Sequence, residues 1–489
     1  MKLASAALAV PRVWSRPVLR LLGLGLAATL AGCASLTPEP PSAARPPVAD
    51  RWQAPLPHGG QLADLQRWWQ QFNDPLLAQL IESAQAASPT LADARSRIEQ
   101  ARAARVAGGA ALGPTLDASA SASRGRFDLN SPVGTSAQAG VQAAWELDLF
   151  GVARSGRDAA QARLEGAQAD WHEARVSVAA EVGSAYLALR ACEAQLEQTR
   201  LDSASRAETA RLTELAARAG FQPPAAAALT RASAAQANAL LTQQSASCDL
   251  AVKALVALTA QPEASLRERL APGRAGIPSP AQITASAVPA EALQQRPDVF
   301  AAERELLAAG SDTAQARAQR LPRIALSGNI GPARFESGGI TTSGTVWSIG
   351  PVSVSLPLFD GGVRAANVDA AQARYDAAAT RYAASLRGAV REVEEALVGL
   401  QSTAARADDA RTAAEGFEQS FRATEARYKG GLASLFELED ARRTAVAAQQ
   451  ALIELQRERV AAWIALYRAL GGGWTRDSGT AAEAPTTRG

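Results

Sequence analysis

The sequence is poor in the residues that usually carry chemistry. Its 489 residues include two histidines, three cysteines and one methionine. His58 and His172 lie far apart, and no cluster of Cys, His and acidic residues has the spacing of a zinc site. No Gly-x-Ser-x-Gly or comparable nucleophile motif is present. An enzyme is therefore not expected, and no cofactor or metal is implied. Neither sign of charge dominates. Beyond residue 32 there are 46 basic and 48 acidic side chains, which argues against a nucleic-acid partner. Long apolar runs are also lacking beyond that point, so no membrane-spanning helix is expected. A β-barrel is the remaining way for such a chain to cross lipid. Aromatic residues make up only 5% of the chain, while alanine is heavily used. Alanine favours helix and lets helices approach closely, so long, tightly packed helices are the first expectation.

The first 32 residues read as a cleaved targeting segment. Lys2, Arg12, Arg16 and Arg20 give it a basic start, and residues 21–30 form a short apolar middle. Leu30-Ala31-Gly32-Cys33 ends the run in the manner of a bacterial lipoprotein signal, with Cys33 as the site of lipid attachment. An ordinary signal peptide with an incidental cysteine is the alternative. Ala34 stands where lipoproteins retained in the inner membrane typically carry Asp, so delivery to the outer membrane is expected. Gly23-Leu24-Gly25-Leu26-Ala27-Ala28 mimics a dinucleotide fingerprint, but it follows no strand and is dismissed.

The remainder is duplicated. Ala159-Ala160-Gln161-Ala162-Arg163 recurs as Ala370-Ala371-Gln372-Ala373-Arg374, and the same offset of 211 pairs Gly220 with Gly431. Upstream the offset is 208, pairing Pro89 with Pro297 and Pro114 with Pro322. Shared prolines and glycines mark backbone geometry rather than shared composition. The spacing gives a segment 33–87 (anchor, linker and start of an equatorial region), repeat 1 over 88–260, a connector over 261–295 and repeat 2 over 296–471. A tail over 472–489 is expected to be disordered.

Each repeat opens with a helix, about 91–111 and 298–319. A β-hairpin follows, about 114–149 and 322–358. Leu116, Ala118, Ala120 and Ala122 alternate with Asp117, Ser119, Ser121 and Ser123, and Val352, Val354, Leu356 and Leu358 alternate with polar or small partners. Period two means one apolar and one polar face. Gly350-Pro351 interrupts the alternation, which suggests a bulge. Each strand has the length of a transmembrane β-strand, although a soluble two-faced hairpin would read the same way. Long helical hairpins come next, over 154–260 and 365–470. Tyr375, Tyr382, Leu386, Val390, Val393, Leu397 and Leu400 recur at coiled-coil spacing. Turns are expected at Gly220 and at Gly430-Gly431. Four strands are too few for a membrane barrel, so the chain must oligomerise to close one.

The fold class is thus mainly α with a membrane β-barrel portion. Several segments carry a family resemblance. They are Trp68-Trp69-Gln70-Gln71-Phe72-Asn73-Asp74-Pro75, Trp145-Glu146-Leu147-Asp148-Leu149-Phe150-Gly151, Pro357-Leu358-Phe359-Asp360-Gly361-Gly362, Arg427-Tyr428-Lys429-Gly430-Gly431 and Leu470-Gly471-Gly472-Gly473-Trp474. The chain resembles the TolC-like outer membrane factors, in particular the acylated branch that serves resistance-nodulation-division efflux systems. The resemblance implies a homotrimer with a twelve-stranded barrel and an α-helical periplasmic tunnel. It implies docking to a periplasmic adaptor (membrane fusion) protein and an inner-membrane resistance-nodulation-division pump, with passive transport. By position, it makes Glu437 and Asp440 carboxylates of the periplasmic gate and Phe436 an apolar constriction. Glu439 adds a further acid, and Ala433 stands where some members place a basic latch residue. A solvated acidic helix face is the plainer account of the same residues.

Cys192 and Cys248 lie 28 residues before and after Gly220. An antiparallel hairpin turning there sets them opposite each other, and an oxidising compartment favours a disulfide over two buried thiols. Rival functions are metal-ion efflux or type I protein secretion through the same channel, or a lipid-anchored coiled-coil scaffold without a pore.

Overall fold

A computed structural model describes Gln53, Leu293 and residues 65–126, 132–278 and 296–474. Segment 1–32, Cys33, His58 and the tail beyond Trp474 lie outside the described residues. A 3-10 helix, Leu65–Phe72, leads into α1 (Pro75–Ala87) and α2 (Pro89–Ala110). Strands β1 (Thr115–Gly125) and β2 (Gly134–Leu147) follow, then α3 (Val152–Arg218), α4 (Pro224–Thr259) and α5 (Glu263–Leu270). The second repeat supplies α6 (Pro297–Ala318), β3 (Arg323–Ser337), β4 (Ile340–Ser355), α7 (Val363–Lys429) and α8 (Leu435–Ala469). The fold is the expected one, mainly helical with paired strands.

Local chemistry accounts for the elements. Asp74 caps α1 by accepting from the backbone N–H groups of Leu76 and Leu77, and Pro75 occupies the first turn, where its missing N–H costs nothing. Leu77, Leu80, Ile81 and Ala84 then bury one face at helical spacing. α3 and α7 each run 67 residues, about 100 Å at 1.5 Å per residue. Neither contains a proline to break it. In α7, Tyr382, Leu386, Val393, Leu397 and Leu400 are buried, so the seam read from the sequence is the packed face.

The chain forms two compact units. The first contains Arg102–Arg163 and Leu306–Ala378. Its centre is one antiparallel sheet in the order β1-β2-β3-β4, so the strands of the two repeats are joined between β2 and β3. The register sets Asp117 opposite Gln142, Gln142 opposite Asn329 and Asn329 opposite Ser348, a polar row across all four strands. The next row, on the other face, aligns Leu116, Ala143, Gly328 and Ile349, and the one after aligns Ala118, Val141, Ile330 and Trp347. Leu116, Ile330, Trp347, Ile349, Val352 and Val354 are all well exposed, so among the described residues nothing covers this continuous apolar face. The ladder slips between Leu326 and Gly328, opposite Val352 and Ile349, which puts a bulge at Gly350-Pro351 and keeps the apolar residues on one face across it. In the same unit, Ala159 and Ala162 of α3 pack on Ala308 of α6, where small side chains permit close approach.

Among the described residues, the second unit contains 65–101, 164–278, 296–305 and 379–474. Its core gathers Trp68, Phe72, Leu77, Leu80, Tyr186, Leu189, Leu255, Leu266, Leu397, Leu466 and Tyr467. Trp68 is fully buried and packs on Tyr467 and Trp463, with ring centroids 5.4 and 6.3 Å away. Arg190 is equally buried. It donates to the carbonyls of Leu270 (2.9 Å) and Pro272 (3.3 Å), to Glu193 and to the Tyr186 hydroxyl, which ties the chain after α5 to α3. Tyr186 in turn donates to Asp74, the cap of α1.

Candidate functional site

Both helical hairpins turn through the same hydrogen-bond pattern. At the end of α3, Phe221 N–H donates to the Ala216 carbonyl (2.8 Å) and Gly220 N–H to that of Ala217 (3.1 Å). At the end of α7, Leu432 N–H donates to Arg427 (2.8 Å) and Gly431 N–H to Tyr428 (3.0 Å). This is the left-handed cap that glycine fits best, and φ is +77° at Gly220 and +74° at Gly431. Gly430 closes the last helical turn instead, with its N–H on the Ala426 carbonyl. The turns present large apolar side chains to solvent: Phe221, Leu432 and Phe436 are 83%, 74% and 80% exposed.

The start of α8 positions the two candidate gate carboxylates. Ser434 is the N-cap of a reciprocal capping box. Its hydroxyl accepts from Glu437 N–H (3.2 Å), and its own N–H donates to Glu437 Oε2 (2.6 Å). These hydrogen bonds, with Arg427 nearby at 3.8 Å, hold the Glu437 carboxyl below the usual range. Asp440 faces solvent and pairs with Arg443 one turn on. Phe436, Glu437 and Asp440 thus share the exposed side of the first two turns of α8, while Leu438 points into the core. Each of the two acids already has a cation beside it.

Glu439 is partly buried and turns toward the neighbouring helices rather than joining the acidic face. It accepts from Ser233 of α4 (3.1 Å), from Arg206 of α3 (3.4 Å) and from Arg442. Arg442 is buried, donates to Thr209 (2.9 Å) and Ser205 (3.1 Å) of α3, and lies 5.4 Å from the centre of the Phe421 ring of α7. Thr213 and Tyr428 share a hydroxyl contact at 3.1 Å, linking α3 to α7. Higher in the first hairpin the structure joins Cys192 and Cys248, with Cα atoms 5.6 Å apart. Sequence reasoning missed Arg206, Ser233 and Arg442, whose contacts between the two repeats join residues more than 200 positions apart. Arg443 was legible as the i+3 partner of Asp440.

A second ionisable cluster lies at the C-terminal end of α8, beside the middle of α7. Arg296 is buried and pairs with Asp298 (2.6 Å) and Glu392 (2.8 Å) while donating to the Ala469 carbonyl (2.9 Å). Burial opposes its charge, but the two carboxylates more than offset this and raise its pKa. Burial and the proximity of Asp298 lift the Glu173 carboxyl to about 7. Burial and the neighbouring Arg175 lower His172 to about 4.

Duplicated helical hairpins joined to membrane-length strands define the architecture of TolC-like outer-membrane channels. The comparisons agree. Residues 80–261 and 288–472 match the family described as "Outer membrane efflux protein", and the chain belongs to that family. Outer membrane protein OprJ of Pseudomonas aeruginosa is 33% identical over 94% of this chain and 97% of its own. The pyoverdine export outer membrane protein OpmQ of Pseudomonas putida is 31% identical, with 94% and 98% covered. The solved structure of the outer-membrane channel OprN superposes with a TM-score of 0.81 at 29% identity, covering 88% of this chain and 98% of that one. The protein is therefore an outer-membrane efflux channel component.

Proposed function

We propose that three copies of this chain close one twelve-stranded barrel in the outer membrane and one helical duct beneath it, through which substrates leave passively. The observation that carries this is the pair of open edges. β1 and β4 each have a single hydrogen-bonded neighbour in the four-stranded sheet. Open edges are not tolerated in lipid, and about eight strands is the least that closes a membrane barrel. The uncovered apolar face suits contact with lipid, and the row of Asp117, Gln142, Asn329 and Ser348 suits a wet lumen. Small and polar side chains on that inner face fit a passive duct, with selection resting in an inner-membrane pump of the resistance-nodulation-division class. The exposed apolar turns around Phe221 and Leu432 are suited to a periplasmic adaptor. Phe436, Glu437 and Asp440 would form rings of three at the entrance, and Cys33 would carry the acyl anchor.

Conductance of the purified protein in planar bilayers tests this reading. A trimer that conducts supports the duct. A folded oligomer that never conducts, under any gating condition, assigns the chain to a lipid-anchored scaffold.

A further inference from the structure

The apolar face of the sheet ends differently at its two ends. At the end joined to the helices it stays apolar, through Leu147 on β2, Ile324 on β3 and Val354 on β4. Toward the hairpin tips it changes character. Register places Ala122, Ala137, Arg334 and Ser343 in one row of this face, and Arg124, Thr135, Glu336 and Thr341 in the next. Among the strand residues of this face, arginine occurs only at these two positions, both within two rows of the tips. The row below them holds Ala120 and Pro332, and the next holds Val141, Ile330 and Trp347, so the arginines begin where the apolar band stops.

We propose that Arg124 and Arg334 form an outward-facing basic rim that binds the phosphate groups of a glycolipid headgroup in the outer leaflet. The inference rests on the barrel reading above, which puts the apolar face against lipid and the tips outside. Arg124 and Arg334 lie two strands apart and about one row apart, so their α-carbons are separated by roughly 12 Å from standard strand spacings. Both side chains are long enough to converge on one phosphorylated headgroup or to hold its two ends. Neither has a strong competing partner. Arg124 touches Thr135 Oγ1 at 3.4 Å. Arg334 lies 3.8 Å from Glu336, with both side chains more than half exposed, an ion pair of little strength. Arginine matches phosphate geometry through paired N–H donors, and at the edge of a lipid phase the phosphate meets it with little competing water. Trp347 lies on the same face below the rim, where an amphipathic ring meets the acyl chains.

Native mass spectrometry of the full-length trimer would test this, with bisphosphorylated lipid A as probe and its dephosphorylated form as comparison. The wild-type protein should retain the bisphosphorylated lipid on the order of tenfold better. The Arg124→Gln/Arg334→Gln variant should lose that preference, and the Arg124→Lys/Arg334→Lys variant should keep part of it. Equal retention of the two lipids by the wild type, or an undiminished preference in the Gln variant, would overturn the proposal. Planar-bilayer conductance of each sample separates the two levels of the argument. Proteins that conduct but show no phosphate preference refute the rim alone, whereas a wild type that neither inserts nor conducts refutes the barrel reading and the rim with it.

Discussion

Removing the Cys192–Cys248 bond should loosen the first helical hairpin by an amount the loop length sets. The two cysteines are 56 residues apart, and the loop holds the lower part of α3, the Gly220 turn and most of α4. Closing a loop of that length restricts the unfolded chain by about 4 kcal/mol in the chain-entropy account. Structure left in the opened hairpin reduces the effect, so ~2–4 kcal/mol is the expected range. Each 1.4 kcal/mol is a factor of ten, which gives roughly 30- to 1000-fold weaker protection against local opening. Hydrogen exchange on the Cys192→Ser/Cys248→Ser trimer is the direct assay. Amides around Val252 and Leu255, buried in the core beside Cys248, should exchange faster by that factor. Peptides from α8 should not change, because the second hairpin carries no cysteine. Adding reductant to the wild type should reproduce the variant. Identical protection with and without reductant, and in the variant, would refute the reasoning.

Three further outcomes are expected. A Cβ added at Gly331 would lie 2.0 Å from the Ala139 carbonyl oxygen and 2.4 Å from Gly140 Cα, both backbone atoms that cannot swing away. Gly331→Ala should therefore cost at least the ~1–3 kcal/mol of ordinary overpacking and lower the yield of heat-resistant oligomer on gels; an unchanged yield would contradict the observed β2–β3 pairing. Glu437→Ala mixes loss of charge with loss of the reciprocal bond to the Ser434 N–H, so Glu437→Gln is the cleaner probe, since glutamine can still complete the capping box. Paired with Asp440→Asn, it should raise basal conductance or weaken block by divalent cations, and unaltered single-channel behaviour would leave these acids as solvated surface. Glu173 has its carboxyl raised from 4.5 to about 7, so the folded state holds that proton more tightly than the unfolded chain. Its stabilising contribution is complete below pH ~4.5 and is lost as pH rises through ~7, by at most ~3 kcal/mol and less for a half-buried group. Glu173→Gln should flatten the dependence of melting temperature on pH across that window, and a profile parallel to the wild type would show that Glu173 is not the titrating group.

The fold was legible because its determinants are local and repeated. Prolines at 89, 114, 297 and 322, the strand alternation and the glycine turns each act over a few residues, and the duplication shows every signal twice. The Gly350-Pro351 interruption gave the bulge for the same reason. Two helices were passed over inside segments read as linkers. α1 carries a plain signal, Asp74-Pro75 followed by apolar residues at helical spacing, whereas α5 has only eight residues and a mostly charged sequence. The environment of the candidate entrance was not legible. Glu439 reads as one more acid beside Glu437 and Asp440, yet its partners Arg206 and Ser233 come from 233 and 206 residues away. The burial of Trp68 against Trp463 and Tyr467 joins opposite ends of the chain in the same way. Pairings of that kind depend on tertiary packing, which no window of sequence contains.

The two hairpins share a turn geometry but not a fastening, and the difference bears on which of them can move. The first is held by a covalent bond between α3 and α4. Position 403, the counterpart of Cys192, is a buried threonine whose hydroxyl hydrogen-bonds within α7 to Gly399 and Leu400. The second hairpin meets the first through exchangeable contacts: Thr213 with Tyr428, Arg442 with Ser205 and Thr209, and Glu439 with Arg206 and Ser233. Such bonds can be traded for water or for a partner's side chains at a net cost of about 1 kcal/mol each, somewhat more where a charge is involved. A disulfide cannot be traded without a reductant. On the proposed reading of Phe436, Glu437 and Asp440 as entrance residues, opening would divide the labour, with α3 and α4 as a stiff frame and α7 and α8 as the element that shifts against it. Arg442 limits that shift most. Its guanidinium is buried and charged, so it must keep partners in both positions or carry the penalty of an unpaired charge.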